Sequence, residues 1–272
     1  MKSKRKPDYG TIGGLFIALG GIIGGLIFEG GSIRDVGQIT AAIIVFGGTF
    51  GAVMVNTPMN TLKRACRRLT GVFFHAEVMP GEIAEEIIVF ATKARKNGIV
   101  SLEEDAAQVE DPFLRKALNL AVDGADLQEL RNMMELDIAV EEHRMEAEAK
   151  VFESAGGYSP TIGIIGAVMG LIQVMKHLAN IDEVGHGIAV AFVATVYGVA
   201  ASNIFFLPAA NKIKARAHEE TERRELILEG VVSIVEGLNP KLIRTKLEIY
   251  AHQQPKKVTS ESDLEDAKGK AA

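Results

Sequence analysis

The chain has 272 residues, 47% of them hydrophobic, with 30 basic against 35 acidic side chains and a formal net charge of −5. That balance carries no nucleic-acid signature, and the single cysteine, Cys66, excludes an internal disulfide framework and a multi-cysteine metal site. The apolar residues are gathered into four runs, which points to an integral membrane protein; Cys66 lies outside them and is expected to be a packing residue.

Residues 1–8 place Lys2, Lys4, Arg5 and Lys6 directly before an uncharged run, Gly10–Phe28. The run is longer than the apolar core of a signal peptide, and Glu29-Gly30-Gly31 offers no Ala-x-Ala cleavage pattern, so it reads as a retained transmembrane helix. The glycine pairs Gly10/Gly14, Gly20/Gly24 and Gly21/Gly25 predict close contact with another helix. A second uncharged run, Ile39–Thr57, is stopped by Pro58 and makes a hairpin with the first. Lys63, Arg64, Arg67 and Arg68 follow it, so basic residues flank the hairpin on both sides and the positive-inside rule puts both flanks in the cytoplasm.

Residues 59–157 read as a hydrophilic, helical cytoplasmic domain inserted between the second and third spans. In Glu82–Asn97 the residues Ile83, Ile87, Phe90, Ala91 and Ala94 share one face, and Gly98 suits the position just past a helix end. Ser101 with Glu104 has capping-box spacing, and another helix is expected to begin at Asp111-Pro112. A long helical pattern from Asp126 leads into Gly156-Gly157, with Met133, Met134 and Met145 as core filler; no strand-like alternation competes.

The third and fourth runs lie within 158–208 and carry small residues one turn apart: Gly163/Ala167, Gly166/Gly170, Ala191/Thr195, Ala194/Gly198 and Gly198/Ser202. That spacing lets two transmembrane backbones approach closely. Pro160 is expected in the first helical turn of the third span, where its missing N–H costs nothing, and Pro208 at the end of the fourth. His177 and His186, in the connection between the two spans, have no acidic or cysteine partner at ligand spacing, so no metal is assigned. Beyond Pro208, Lys212, Lys214, Arg216, Arg223 and Arg224 restore cytoplasmic charge; residues 209–252 read as cytoplasmic helices, and 253–272 as a tail too polar to fold by itself. The expectation is therefore all-α, with a cytoplasmic N-terminus (1–8), hairpins at 9–58 and 158–208, and both termini inside.

No phosphate loop, H-E-x-x-H or G-x-S-x-G motif is present, so an enzyme is not expected. The four runs also lack an ionisable residue at depth, where one would be costly and kept for function. Thr49, Gln173, Thr195, Tyr197, Ser202 and Asn203 are the polar side chains available there. If ions cross, a partner must supply the titrating group.

The motifs GGTFGA (47–52), ARKNGIVSLE (94–103), SPTIGIIGAVMG (159–170) and TVYGVAASNIFFLP (195–208), in this layout, resemble the MotA family of flagellar stator subunits over residues 8–250. The resemblance implies a subunit of a bacterial inner-membrane pentamer around a MotB-type single-span partner whose aspartate binds the transported ion. Protons are the expected ion because Ala167 stands where sodium-driven members carry threonine; sodium is the alternative, and no other cofactor is implied. By the same resemblance Arg95 and Glu103 would face charges on a FliG-type rotor protein, Thr195 would line the ion pathway, and Pro160 and Pro208 would shape the ion-gated movement. An ExbB or TolQ type subunit is the nearest alternative, disfavoured by the two-span first hairpin, and a non-conducting membrane scaffold is the other.

Overall fold

The computed structural model describes residues 6–75 and 80–251. The basic residues Lys2, Lys4 and Arg5 and the polar tail over 253–272 lie outside the described residues. In chain order, β1 (Lys6–Pro7) precedes α1 (Tyr9–Phe28), α2 (Ile39–Asn56) and α3 (Met59–Phe73). β2 (Phe74–His75), α4 (Pro80–Asn97), α5 (Glu103–Gln108) and α6 (Pro112–Val122) follow. Two long helices, α7 (Leu127–Lys176) and α8 (Ile181–Val235), and the short α9 (Pro240–Ala251) complete the fold. Four of these helices, α1, α2, α7 and α8, are long and apolar enough to cross a membrane.

The described residues form two compact units, one from 6–75 with 140–219 and one from 80–139 with 220–251. The stretch read from sequence as one inserted domain, 59–157, therefore contributes to both. The reason is packing. Ala65 and Val72 of α3 and Ala149, Phe152 and Ala155 of α7 share a buried cluster with Phe206, Ala210 and Ile213 of α8.

In the membrane unit α2 packs on α8 through Ala41, Val45, Val190, Val193 and Ala194. The third and fourth spans, in α7 and α8, approach until glycine is required. A Cβ on Gly163 would sit 2.9 Å from the Ala194 carbonyl oxygen, and one on Gly170 would sit 2.8 Å from that of Gly187. The expectation of a small-residue packing pair holds here. It fails for α1, which has no buried residue. A Cβ on Gly14, Gly20, Gly21, Gly24 or Gly25 would meet nothing within 4 Å. Glycine spacing permits close approach but does not choose a partner, and none of the described residues packs on those glycines.

Pro160 is not in a first turn. It lies inside α7, which runs unbroken from Leu127 through the Gly156-Gly157 pair. Nor does the helix stop at Pro208: α8 widens into a π-turn over Ala201–Phe206 and continues to Val235. A second π-turn, Ile43–Gly47, interrupts α2. Single π-turns recur at functional positions in helices, and nothing in the apolar pattern announces them.

Three smaller expectations are also corrected. β1 and β2 pair antiparallel, Lys6 with His75 and Pro7 with Phe74, too short a ladder to leave a period in the sequence. Cys66 is exposed, because Ala65 takes the buried position in α3 and the next residue turns away. Of the methionines, Met134 and Met145 are buried while Met133 is 41% exposed.

The second unit follows its sequence closely. Ile83, Ile87, Phe90 and Ala91 of α4 are buried against Leu114, Leu118, Leu130, Leu226, Val231 and Leu247. Asp111 caps α6 by accepting from the Phe113 and Leu114 amides, both at 2.9 Å. Burial opposes ionisation of this carboxylate, but the Leu114 amide and the Arg223 guanidinium outweigh it and hold the group below the ordinary range.

Candidate functional site in the third and fourth spans and at the Gly98 turn

A proline inside a helix removes one donor and orphans the carbonyl four residues earlier. For Pro160 that carbonyl belongs to Gly156. It is not left bare: the buried Ser202 hydroxyl of α8 donates to it at 2.7 Å. One turn away Gly198 sits directly on the proline, where an added Cβ would lie 2.6 Å from the Ser159 carbonyl oxygen and 3.2 Å from the Pro160 Cα. Ser202 also stands in the π-turn, its own carbonyl accepting from the amide of Leu207, five residues on and immediately before Pro208.

Two of the other polar groups at depth, Thr195 and Asn203, are bound within their own helix. The Thr195 hydroxyl donates to the Ala191 carbonyl of its own helix at 3.3 Å, the intrahelical bond open to any helical threonine. Asn203 donates to the Val199 carbonyl at 2.9 Å. Tyr197 donates to the Val36 carbonyl, accepts from the Gln38 amide at 3.4 Å and so ties the fourth span to the start of the second. The hydroxyls of Thr49 and Ser159 are buried without a hydrogen-bond partner among the described residues. Ala167 and Thr195 are both half-buried. Gly163, one turn before Ala167, meets the backbone of Ala194 and Thr195. His177 does have an acidic neighbour that its spacing concealed, the Glu183 carboxylate 3.2 Å from Nε2.

Charge is concentrated at the other end of the spans. Asp8 caps α1 through the Thr11 amide at 3.0 Å and pairs with Lys212 at 2.8 Å and Arg216 at 2.9 Å. Glu148, only 2% exposed, is held by Arg68 at 2.8 Å and Arg64 at 3.2 Å, with Arg144 at 3.8 Å. Two of the four basic residues that follow the second span are thus structural clamps on a buried acid.

In the second unit Arg95 and Glu103 are both exposed and stand on either side of the Gly98 turn. Gly98 has φ +83°, a left-handed conformation that suits glycine, and it leads straight into a 3-10 turn, Ile99–Leu102. That turn removes the expected capping box: Ser101 lies inside it and donates back to the Gly98 carbonyl at 2.6 Å, and α5 starts without a side-chain cap. Neighbouring Lys93 is bound to Asp105 at 2.7 Å, while Arg95 and Glu103 make no ion pair among the described residues.

Four membrane-length helices with no carboxylate at mid-depth, the third and fourth closely packed, define a multi-pass membrane protein. Residues 105–226 match the MotA/TolQ/ExbB proton channel family, and residues 12–98 match the Motility protein A N-terminal family. Motility protein A of Helicobacter pylori is 36% identical over 251 residues, covering 92% of this chain and 98% of that protein. Among solved structures, MotAB of C. jejuni superimposes with a TM-score of 0.86 at 32% identity, covering 91% of this chain and 98% of the other. The flagellar MotAB stator complex of Bacillus subtilis gives 0.82 at 34% identity, with 89% and 95% covered. The chain belongs to the motility protein A group of the MotA/TolQ/ExbB family.

Proposed function

We propose that this chain is a flagellar stator subunit that turns ion flow into torque with a MotB-type partner. The carrying observation is the combination of four membrane-length helices without a mid-depth carboxylate and a third and fourth span locked face to face around Pro160. The partner's single span would bring the aspartate, in a pentamer of this chain set in the bacterial inner membrane with both termini in the cytoplasm. Thr195 and Ala167 would face that aspartate, with the proton as the coupling ion. Its binding and release would shift the third span against the fourth at Pro160 and Pro208, and Arg95 with Glu103 would pass the movement to a FliG-type rotor protein.

Energetics limit how this can work. A membrane potential supplies about 2.3 kcal/mol per charge per 100 mV, so the two positions of the moving element must be nearly balanced. Hydrogen bonds that exchange one acceptor for another meet that requirement better than burial or exposure of apolar surface.

The test is co-expression with a MotB-type partner lacking its plug segment, reading cytoplasmic pH in cells held in a proton or a sodium gradient. Acidification that needs both chains and the proton gradient is expected. Flux through this chain alone, or none with the partner, would overturn the reading.

A further inference from the structure

The two prolines named above lie on different helices, 48 positions apart in sequence. In the fold one residue reaches both. The Ser202 hydroxyl bonds the carbonyl that Pro160 leaves without a donor, and the Ser202 carbonyl takes the Leu207 amide just before Pro208. Packing holds this arrangement tightly. Ser202 is 2% exposed, and a Cβ on Gly156 would sit 2.6 Å from a Leu207 side-chain carbon.

A serine inside a helix has a second acceptor within reach, the carbonyl four residues earlier in its own helix. For Ser202 that is Gly198, the residue seated on Pro160. The hydroxyl can therefore leave Gly156 and bond Gly198 without becoming unpaired. One choice holds the third span to the fourth at the proline; the other releases it and leaves the Gly156 carbonyl without its donor.

We infer that Ser202 is a positioning residue of the stator cycle: its hydroxyl latches the Pro160 segment of α7 to the π-turn of α8, and its transfer between the Gly156 and Gly198 carbonyls lets the two spans shift. The functional half of this inference rests on the stator reading; the bond itself does not.

The experiment is a double-mutant cycle in the full chain with its MotB-type partner, using P160A, S202A, P160A/S202A and S202T. Its first readout is the unfolding equilibrium of the detergent-solubilised complex. With Pro160 present, S202A should lower the folding equilibrium constant about fivefold. In the P160A background, where the introduced alanine offers an N–H to the Gly156 carbonyl, the same change should cost less than twofold. Equal losses in both backgrounds would overturn the latch. The second readout is swimming speed and torque at unchanged membrane levels of the complex. S202A should lose at least half of both, and S202T, which keeps the hydroxyl, should restore them. Normal torque in S202A would overturn the positioning role even if the cycle shows coupling. Failure of the unsubstituted chain to drive any swimming would refute the stator reading, and the unfolding cycle would still decide the bond.

Discussion

Glu148 shows how a single acid can organise a membrane edge. With the carboxylate 2% exposed and three arginines around it, removing it leaves guanidinium groups facing a cavity they cannot hydrate fully. Breaking a buried pair costs about 3–5 kcal/mol, and the partial exposure of the arginines brings that down to about 2–3 kcal/mol here. E148A should therefore lower the membrane level of the chain, measured by immunoblot, more than E148Q, which keeps hydrogen-bonding atoms. Arg95 and Glu103 are the opposite case, exposed and without an internal ion pair among the described residues. Charge reversal at either should leave expression unchanged and reduce swimming, with recovery on complementary reversal in the rotor protein. Normal swimming in both reversals would return them to an ordinary solvated face. Single exposed pairs contribute under about 1 kcal/mol, so the double reversal is the decisive variant.

At the scale of elements, the third and fourth spans were legible because small residues repeat at one-turn spacing, and the contacts use Gly163, Gly166, Gly170, Ala194 and Gly198. G198A places a carbon against the Ser159 carbonyl, a backbone atom that cannot swing aside. The expected loss is about 1–3 kcal/mol of stability, read as lower resistance of the purified complex to detergent unfolding. What the pattern could not convey was the continuity of α7 and α8. Local rules put a proline at a helix start, and the group that satisfies the Gly156 carbonyl lies 46 residues further on. The same limit hid the strand pair of Lys6–Pro7 and Phe74–His75 and the outward glycines of α1, whereas Ile83, Ile87, Phe90 and Ala91 were found because their neighbours are local. Ser101 misled for the reverse reason: its spacing suited a cap, but the left-handed Gly98 had already started the turn.

Across the whole molecule, Asp8 joins the start of the first span to the residues after the fourth. Burial works against the ionised carboxylate, yet the Lys212 contact and the Thr11 amide outweigh it and hold the group well below the usual carboxylate range. A depressed folded value means the contribution to stability is complete above the unfolded value of about 4 and is lost as pH falls below it. D8N should therefore melt earlier than the unsubstituted complex at pH 7, by about 1–2 kcal/mol for a charge-assisted cap with two partners, and the gap should close on acidification below about pH 4. A gap independent of pH would mean that the amide-to-carboxylate change acts through shape alone.

This clamp also sets an order of events during biosynthesis. Arg216 is 208 residues downstream of Asp8, so at about 5–20 residues per second the ribosome delivers it some 10–40 s after the first span is made. Throughout that interval α1, which has no fully buried residue, lacks its Lys212 and Arg216 partners and depends on the insertion machinery and surrounding lipid to stay in place. Slowing elongation between the two hairpins should therefore expose the nascent chain to quality-control proteases for longer, with the first hairpin the earliest part at risk.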